Sequence, residues 1–139
     1  MNPQPLLNGY SSSNVNVAPT SHQEILVPQG TRQIVIPVQR LLCMEGCGNY
    51  TYLYTTDGKR YLSSKTLKGY AALLNEATFL RVHKSWIINL EHFQGFCECE
   101  RSVRLAGGIE IAVSRRKLHE VALVLAAQPK GKTAMKALA

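Results

Sequence analysis

From residue 24 onward, apolar and polar positions alternate in short runs broken by turn residues. EILVPQGTRQIVIPV places β-branched residues on either side of Pro28-Gln29-Gly30, which predicts two short strands. Pro37 belongs at a sheet edge or at a strand end, because it cannot donate to a ladder. The run from Val38 to Glu45 closes in Gly46-Cys47-Gly48-Asn49, which is turn chemistry. Tyr50, Tyr52 and Tyr54 then alternate with Thr51, Leu53 and Thr55, as expected of a strand with one aromatic face. Asp57-Gly58 between alternating runs predicts a hairpin, with Arg60 to Ser63 as the return strand. Leu67, Tyr70, Ala71 and Leu74 recur at three- and four-residue spacing, so a short helix is expected over residues 65–75, capped by Ser63 or Ser64. Strand texture returns over residues 92–100. A second hairpin is expected where Val103 and Leu105, then Ile109, Ile111 and Val113, flank Ala106-Gly107-Gly108. A closing helix is expected from Ser114 over about residues 115–127, with Leu118, Val121, Ala122 and Leu125 on its apolar face and Pro129 beyond it.

One stretch fits neither simple period. In FLRVHKSWIINL, residues 79–90, Leu80 and Val82 face one way and Arg81 and His83 the other. The alternation stops at Lys84-Ser85, and Trp86, Ile87 and Ile88 follow as a solid apolar block. A polar segment pinned between two pieces that want burial is aimed at something, so Arg81, His83, Lys84, Ser85 and Asn89 are candidates for a binding surface.

Composition narrows what that surface meets. Sixteen Lys and Arg stand against nine Asp and Glu in 139 residues, a formal charge of +7. A small basic domain favours anionic partners, with nucleic acid or an anionic membrane surface first. No apolar run is long enough to span a bilayer and no signal-peptide layout opens the chain, so the expected location is the cytoplasm. The order of segments predicts a polar, disordered arm over 1–23, one domain over 24–127 and a loose basic tail over 128–139.

The remaining chemistry is sparse. Cys43, Cys47, Cys97 and Cys99 have C-x3-C and C-x-C spacing, poor half-sites for zinc, and are expected as reduced thiols. Cys97 and Cys99, like Glu98 and Glu100, are expected on one side of a strand, and the carboxylates read as a solvated face. No nucleophile elbow, phosphate loop or metal-protease motif is present, so catalysis is not expected, nor any metal or cofactor. Arg115, Arg116 and Lys117 crowd the predicted first helical turn, where cations oppose the macrodipole. Either the surface tolerates them or they serve a phosphate or a base edge. Asn49 has the chemistry to pair with an adenine edge, and equally that of a plain turn residue.

Taken together these segments resemble the LytTR DNA-binding domain of bacterial transcription regulators. The family core, F-x-R-x-H-x-S-x-x-(I/V)-N, is met by Phe79, Arg81, His83, Ser85, Ile88 and Asn89. The late V-S-R segment is met by Val113, Ser114 and Arg115, and the glycine- and asparagine-containing loop by residues 45–50. The resemblance covers about residues 25–125. It implies a mainly β fold of elongated antiparallel sheets, with one short mid-chain helix and a C-terminal helix. It also implies loop side chains inserted into successive major grooves of double-stranded DNA, often at paired direct repeats that hold a second copy.

By position, the contact loops would be Asn49 and Tyr50, then Lys84 with Ser85, then Arg115 and its neighbours. Arg115 is the candidate for a bidentate contact to guanine, while Lys84, Arg116 and Lys117 suit phosphates. Arg81 reads as a phosphate contact or as half of an internal ion pair. His83, Trp86 and Asn89 read as supports of the loop. Family members often carry a receiver domain, and the two dozen residues ahead of this domain are too few for one. That favours a regulator without its own phosphoacceptor, or an interaction module that keeps the fold and tunes a separate signalling protein. Oxidation of Cys47, in a contact loop, is a further means of control.

Overall fold

The computed structural model describes residues 23–128. The expected arm over 1–23 therefore lies outside the described residues except for Gln23, as does the tail over 128–139 except for Gln128, and Pro129 with it.

Ten strands and two α-helices follow in chain order among the described residues. They are β1 (Glu24–Gln29), β2 (Arg32–Pro37), β3 (Leu41–Cys47), β4 (Tyr50–Thr55), β5 (Arg60–Ser63), α1 (Leu67–Leu73), β6 (Phe79–His83), β7 (Trp86–Asn89), β8 (Phe93–Cys97), β9 (Ser102–Leu105), β10 (Glu110–Ala112) and α2 (Leu118–Ala126). The fold is mainly β, with antiparallel pairing throughout. A five-stranded sheet, ordered β5-β4-β3-β7-β6, lies between the β1-β2 hairpin and a three-stranded sheet, β10-β9-β8.

Two apolar clusters pack against opposite faces of the central sheet. One gathers Leu42, Cys43, Val82 and Ile88 with Phe93, Phe96, Val103, Leu105 and Ile111 of the three-stranded sheet and Val121 and Leu125 of α2. The other gathers Leu41, Met44, Leu53 and Ile87 with Ile25, Val27 and Ile36 of the N-terminal hairpin and Leu67 and Tyr70 of α1. The block Trp86-Ile87-Ile88 has this cause. Ile87 enters one cluster and Ile88 the other, so a strand buried on both faces loses its period-two signature. Burying each of these Ile side chains is worth roughly 1.5–3 kcal/mol.

The tyrosine strand runs as expected, with Thr51, Leu53 and Thr55 buried and Tyr50, Tyr52 and Tyr54 on the other face. Asp57-Gly58 makes the β4-β5 turn. The Asp57 carboxyl is held below its usual range by a hydrogen bond from Thr55, with further help from the Lys59 amide and Arg40. Pro37 ends β2, and residues 38–40 then form one 3-10 turn.

Three expectations change. The mid-chain helix is shorter than residues 65–75, and its cap is Thr66, whose Oγ1 accepts from Gly69 N at 3.0 Å. Ser63 is occupied elsewhere, with its hydroxyl 2.7 Å from Tyr70 OH and 3.0 Å from Pro28 O. The strand predicted over 92–100 ends at Cys97. Glu98, Cys99 and Glu100 lie in the β8-β9 turn, closed by Arg101 at φ 49°, so neither the carboxylates nor the two thiols line one side of a strand. Residues 115–117 form a 3-10 turn ahead of α2, not its first α turn, which instead carries Glu120. The cations thus sit immediately before α2, with Lys117 as its N-cap, and still face the positive end of the helix dipole.

Asn89 ties this arrangement together. Fully buried, its Nδ2 donates to Val38 O at 2.9 Å and to Leu41 O at 2.7 Å, while Oδ1 accepts from Glu91 N at 2.9 Å. It thereby satisfies backbone groups at the entry of β3 and the exit of β7. Removing it deletes three hydrogen bonds of a fully buried side chain, so Asn89→Ala is expected to cost about 3 kcal/mol. Urea unfolding should show a lowered midpoint with unchanged slope.

Candidate nucleic-acid interface

Strand register decides which turns meet. In β3 and β7, Glu45 pairs with Trp86, so the β3-β4 turn at Gly48-Asn49 and the β6-β7 turn at Lys84-Ser85 leave the sheet at the same end. Gly46 N donates to Ser85 O at 2.8 Å and joins the two turns directly. The third segment arrives from the other sheet, where Ser114 N donates to Val82 O at 2.8 Å, which brings residues 114–117 against the edge of β6.

Each turn has a local reason for its shape. In the first, Gly48 takes the left-handed conformation at φ 61°; Asn49 does not, so its side chain is not spent on accommodating that backbone. Asn49 and Tyr50 are exposed. In the second turn, His83 Nδ1 accepts from Ser85 N at 3.0 Å. Arg81 Nε donates to His83 O at 3.3 Å, and its Nη2 donates to Lys84 O at 2.5 Å. Lys84 itself is exposed. Trp86 closes the base of the turn, half-buried and stacked on Tyr54 with ring centroids 5.9 Å apart. The Tyr54 hydroxyl donates to Glu45 at 2.7 Å, and burial together with that carboxylate raises its pKa. In the third, Ser114 Oγ accepts from Lys117 N at 3.3 Å and caps the 3-10 turn that carries Arg115 and Arg116 into solvent.

Between the second and third turns lies a cleft of ≈ 420 Å³, walled by Arg81, His83 and Lys84 on one side and residues 114–117 on the other. Five cations line it, and no carboxylate does. Its chemistry is that of an anion site, of a size and openness suited to a phosphate with its sugar attached.

Two further lysines belong to this end and were not singled out from the sequence. Thr51 Oγ1 donates to Lys65 O at 2.8 Å, and a Cβ on Gly46 would lie 3.1 Å from Leu67, so α1 begins against the end of β3. Lys65 is thus held by its backbone near the first turn, with its Nζ over the Tyr70 ring, and Lys68 follows in the first turn of α1. The signal was available: the first turn of α1 carries no acid, the same departure that drew attention to residues 115–117. On the far flank, Val113 N donates to Arg101 O at 2.8 Å, which places the turn bearing Glu98 and Glu100 beside the third segment.

A family model for the LytTr DNA-binding domain matches residues 31–126. The chain belongs to the LytTr DNA-binding domain family. Among curated relatives, this LytTr domain is 31% identical over 108 residues to the heme-containing CO-sensing transcriptional regulator RcoM 2 of Paraburkholderia xenovorans (strain LB400), across 75% of this chain and 40% of that protein. It is 28% identical over 110 residues to RcoM 1 of the same organism, across 75% and 41%. The chain spans about two fifths of the length of these relatives. A solved LytTr DNA-binding domain of a putative methyl-accepting/DNA response regulator from Bacillus cereus superposes with a TM-score of 0.63 at 18% identity, over 73% of this chain and 95% of that one. That likeness is one of fold.

The cysteines of the LytTr domain are free thiols in different settings. Cys43 is fully buried, and burial followed by the nearby Glu45 charge pushes its pKa up to about 12. Cys47 and Cys99 are exposed, with Cys97 between. Among the described residues, no group of three or more His, Cys, Asp or Glu is placed to hold a metal, and no helix is long and apolar enough to cross a membrane. A thiol reagent applied to the native protein at pH 8 should label Cys47 and Cys99 first and leave Cys43 untouched until urea unfolds the chain. Peptide mass spectrometry would read the order.

Proposed function

We propose that the chain is a sequence-specific DNA-binding transcriptional regulator that reads promoter DNA with turns rather than with a recognition helix. The observation that carries this reading is the convergence of three turns at one end of the central sheet, with five cations lining the cleft between the second and the third. An array of short projecting turns suits the major groove, whose floor offers donors and acceptors that distinguish all four base pairs. The names of the curated relatives, both transcriptional regulators, agree with it.

The roles follow from side-chain chemistry. Arg115, exposed beyond the Ser114 cap, forms a bidentate pair with guanine N7 and O6. Asn49, freed from backbone duty by Gly48, pairs with an adenine edge, and Tyr50 packs beside it. Lys84, Arg116 and Lys117 neutralise phosphates and fix the register, with Lys65 and Lys68 extending the track towards α1. Ser85 stays in the turn and supplies backbone links. A second copy on a direct repeat would add contacts without new chemistry. The site of action is the cytoplasm, where bacterial DNA is.

Binding assays on DNA recovered by selection from random sequence test this. A recovered direct repeat is the expected outcome, with affinity falling on a log–log salt plot by about 0.9 per phosphate neutralised. Arg115→Ala should weaken that cognate site by about 1–3 kcal/mol while changing binding to random DNA far less. Equal losses on both would remove the base-reading role, and no enrichment from any pool would remove the reading itself.

A further inference from the structure

Arg81 differs from the other cations of the cleft. Lys84, Arg115 and Arg116 are exposed and Lys117 is half-buried, whereas Arg81, also half-buried, is spent on hydrogen bonds to the turn it precedes. Its guanidinium spans two successive carbonyls, His83 O at 3.3 Å through Nε and Lys84 O at 2.5 Å through Nη2. Those carbonyls follow directly on the slip of the β6-β7 ladder between Arg81 and His83: His83 pairs with Trp86, and Lys84 stands in the turn beyond the ladder. His83 Nδ1 takes the Ser85 amide from the other side, and Ser85 O is held by Gly46 N. The His83, Lys84 and Ser85 carbonyls and the Ser85 amide, which flank Lys84, are thus tied to Arg81, His83 or Gly46.

We propose that Arg81 is a positioning residue for DNA recognition. It clamps the β6-β7 turn from within, so that Lys84 faces residues 114–117 across the cleft, and it does not itself neutralise a phosphate. The inference deepens the DNA reading above and rests on it for its functional consequence. The clamp needs the guanidinium in particular. A planar fork can span two carbonyls at once, while an ammonium on a flexible stem has no such fixed pair of donors. Charge and shape are therefore separable by substitution.

The test compares Arg81→Lys with Lys84→Ala in the full chain, with two readouts. The first is amide hydrogen exchange at Ser85 and Gly46 in the free protein, with global stability measured alongside by urea unfolding. The second is DNA affinity as a function of salt, on the selected site and on random DNA. For Arg81→Lys, which keeps the charge, exchange at Ser85 and Gly46 should rise well beyond any change in global stability. Cognate affinity should fall several-fold and the salt slope by up to about one, because an unheld Lys84 no longer meets its phosphate although the charge at residue 81 is kept. Lys84→Ala should leave exchange alone and reduce the slope by about one. If Arg81→Lys keeps full cognate affinity, or if Arg81→Gln lowers the slope by about one with the turn amides still protected, Arg81 is a phosphate contact and the clamp is overturned. Exposed turn amides in Arg81→Lys, in a protein that selects no DNA, would instead overturn the DNA reading and the clamp's role in it. The two failures are therefore distinct.

Discussion

A strand buried on both faces cannot slip. Moving β7 by one residue along β3 would exchange Ile87 and Ile88 between two separate cores, each already filled by neighbours of fixed shape. This constraint sets the pairing of Glu45 with Trp86, and that pairing sets which turns stand side by side. Asn89 adds a directional lock at the other end of the same strand, where its amide satisfies carbonyls at the start of β3. Register in the interior and the placing of cations at the rim thus have one cause.

The rim itself is built from polar links that are individually modest. A typical one contributes about 1 kcal/mol net, and somewhat more where a charge is involved. They act in series: Gly46 to Ser85, Ser85 to His83, Arg81 to two carbonyls, and Ser114 to Val82. Such a chain gives little global stability. It selects one arrangement of short turns, which is what the proposed reading of a groove would require, since a base contact displaced by an ångström is lost.

The sequence foreshadowed the parts governed by neighbours along the chain. The hairpin at Asp57-Gly58, the turn at residues 106–108 and the alternating tyrosines of β4 follow from local pattern and came out as expected. The cap at Thr66 was misplaced because Ser63 and Ser64 offer the same hydroxyl chemistry, and only packing shows Ser63 to be engaged with Pro28 and Tyr70. The 3-10 turn at residues 115–117 was read as the start of an α-helix because both have a serine cap followed by side chains of good helix propensity. The nearness of Asn49, Lys84 and Arg115 could not be read from spacing at all. It depends on register between segments more than thirty residues apart. The family resemblance brought in what local physics could not.

The division between cores and turns also bears on how such a protein diversifies. The turns at Gly48-Asn49 and Lys84-Ser85 touch neither apolar cluster. Side chains there can be exchanged at little cost to folding, provided Gly48 keeps its left-handed backbone and the links beneath Lys84 remain. If these turns read DNA as proposed, new operators would become accessible by single substitutions in an already folded scaffold. Drift of the same size in β3 or β7 would disturb the framework on which every contact depends.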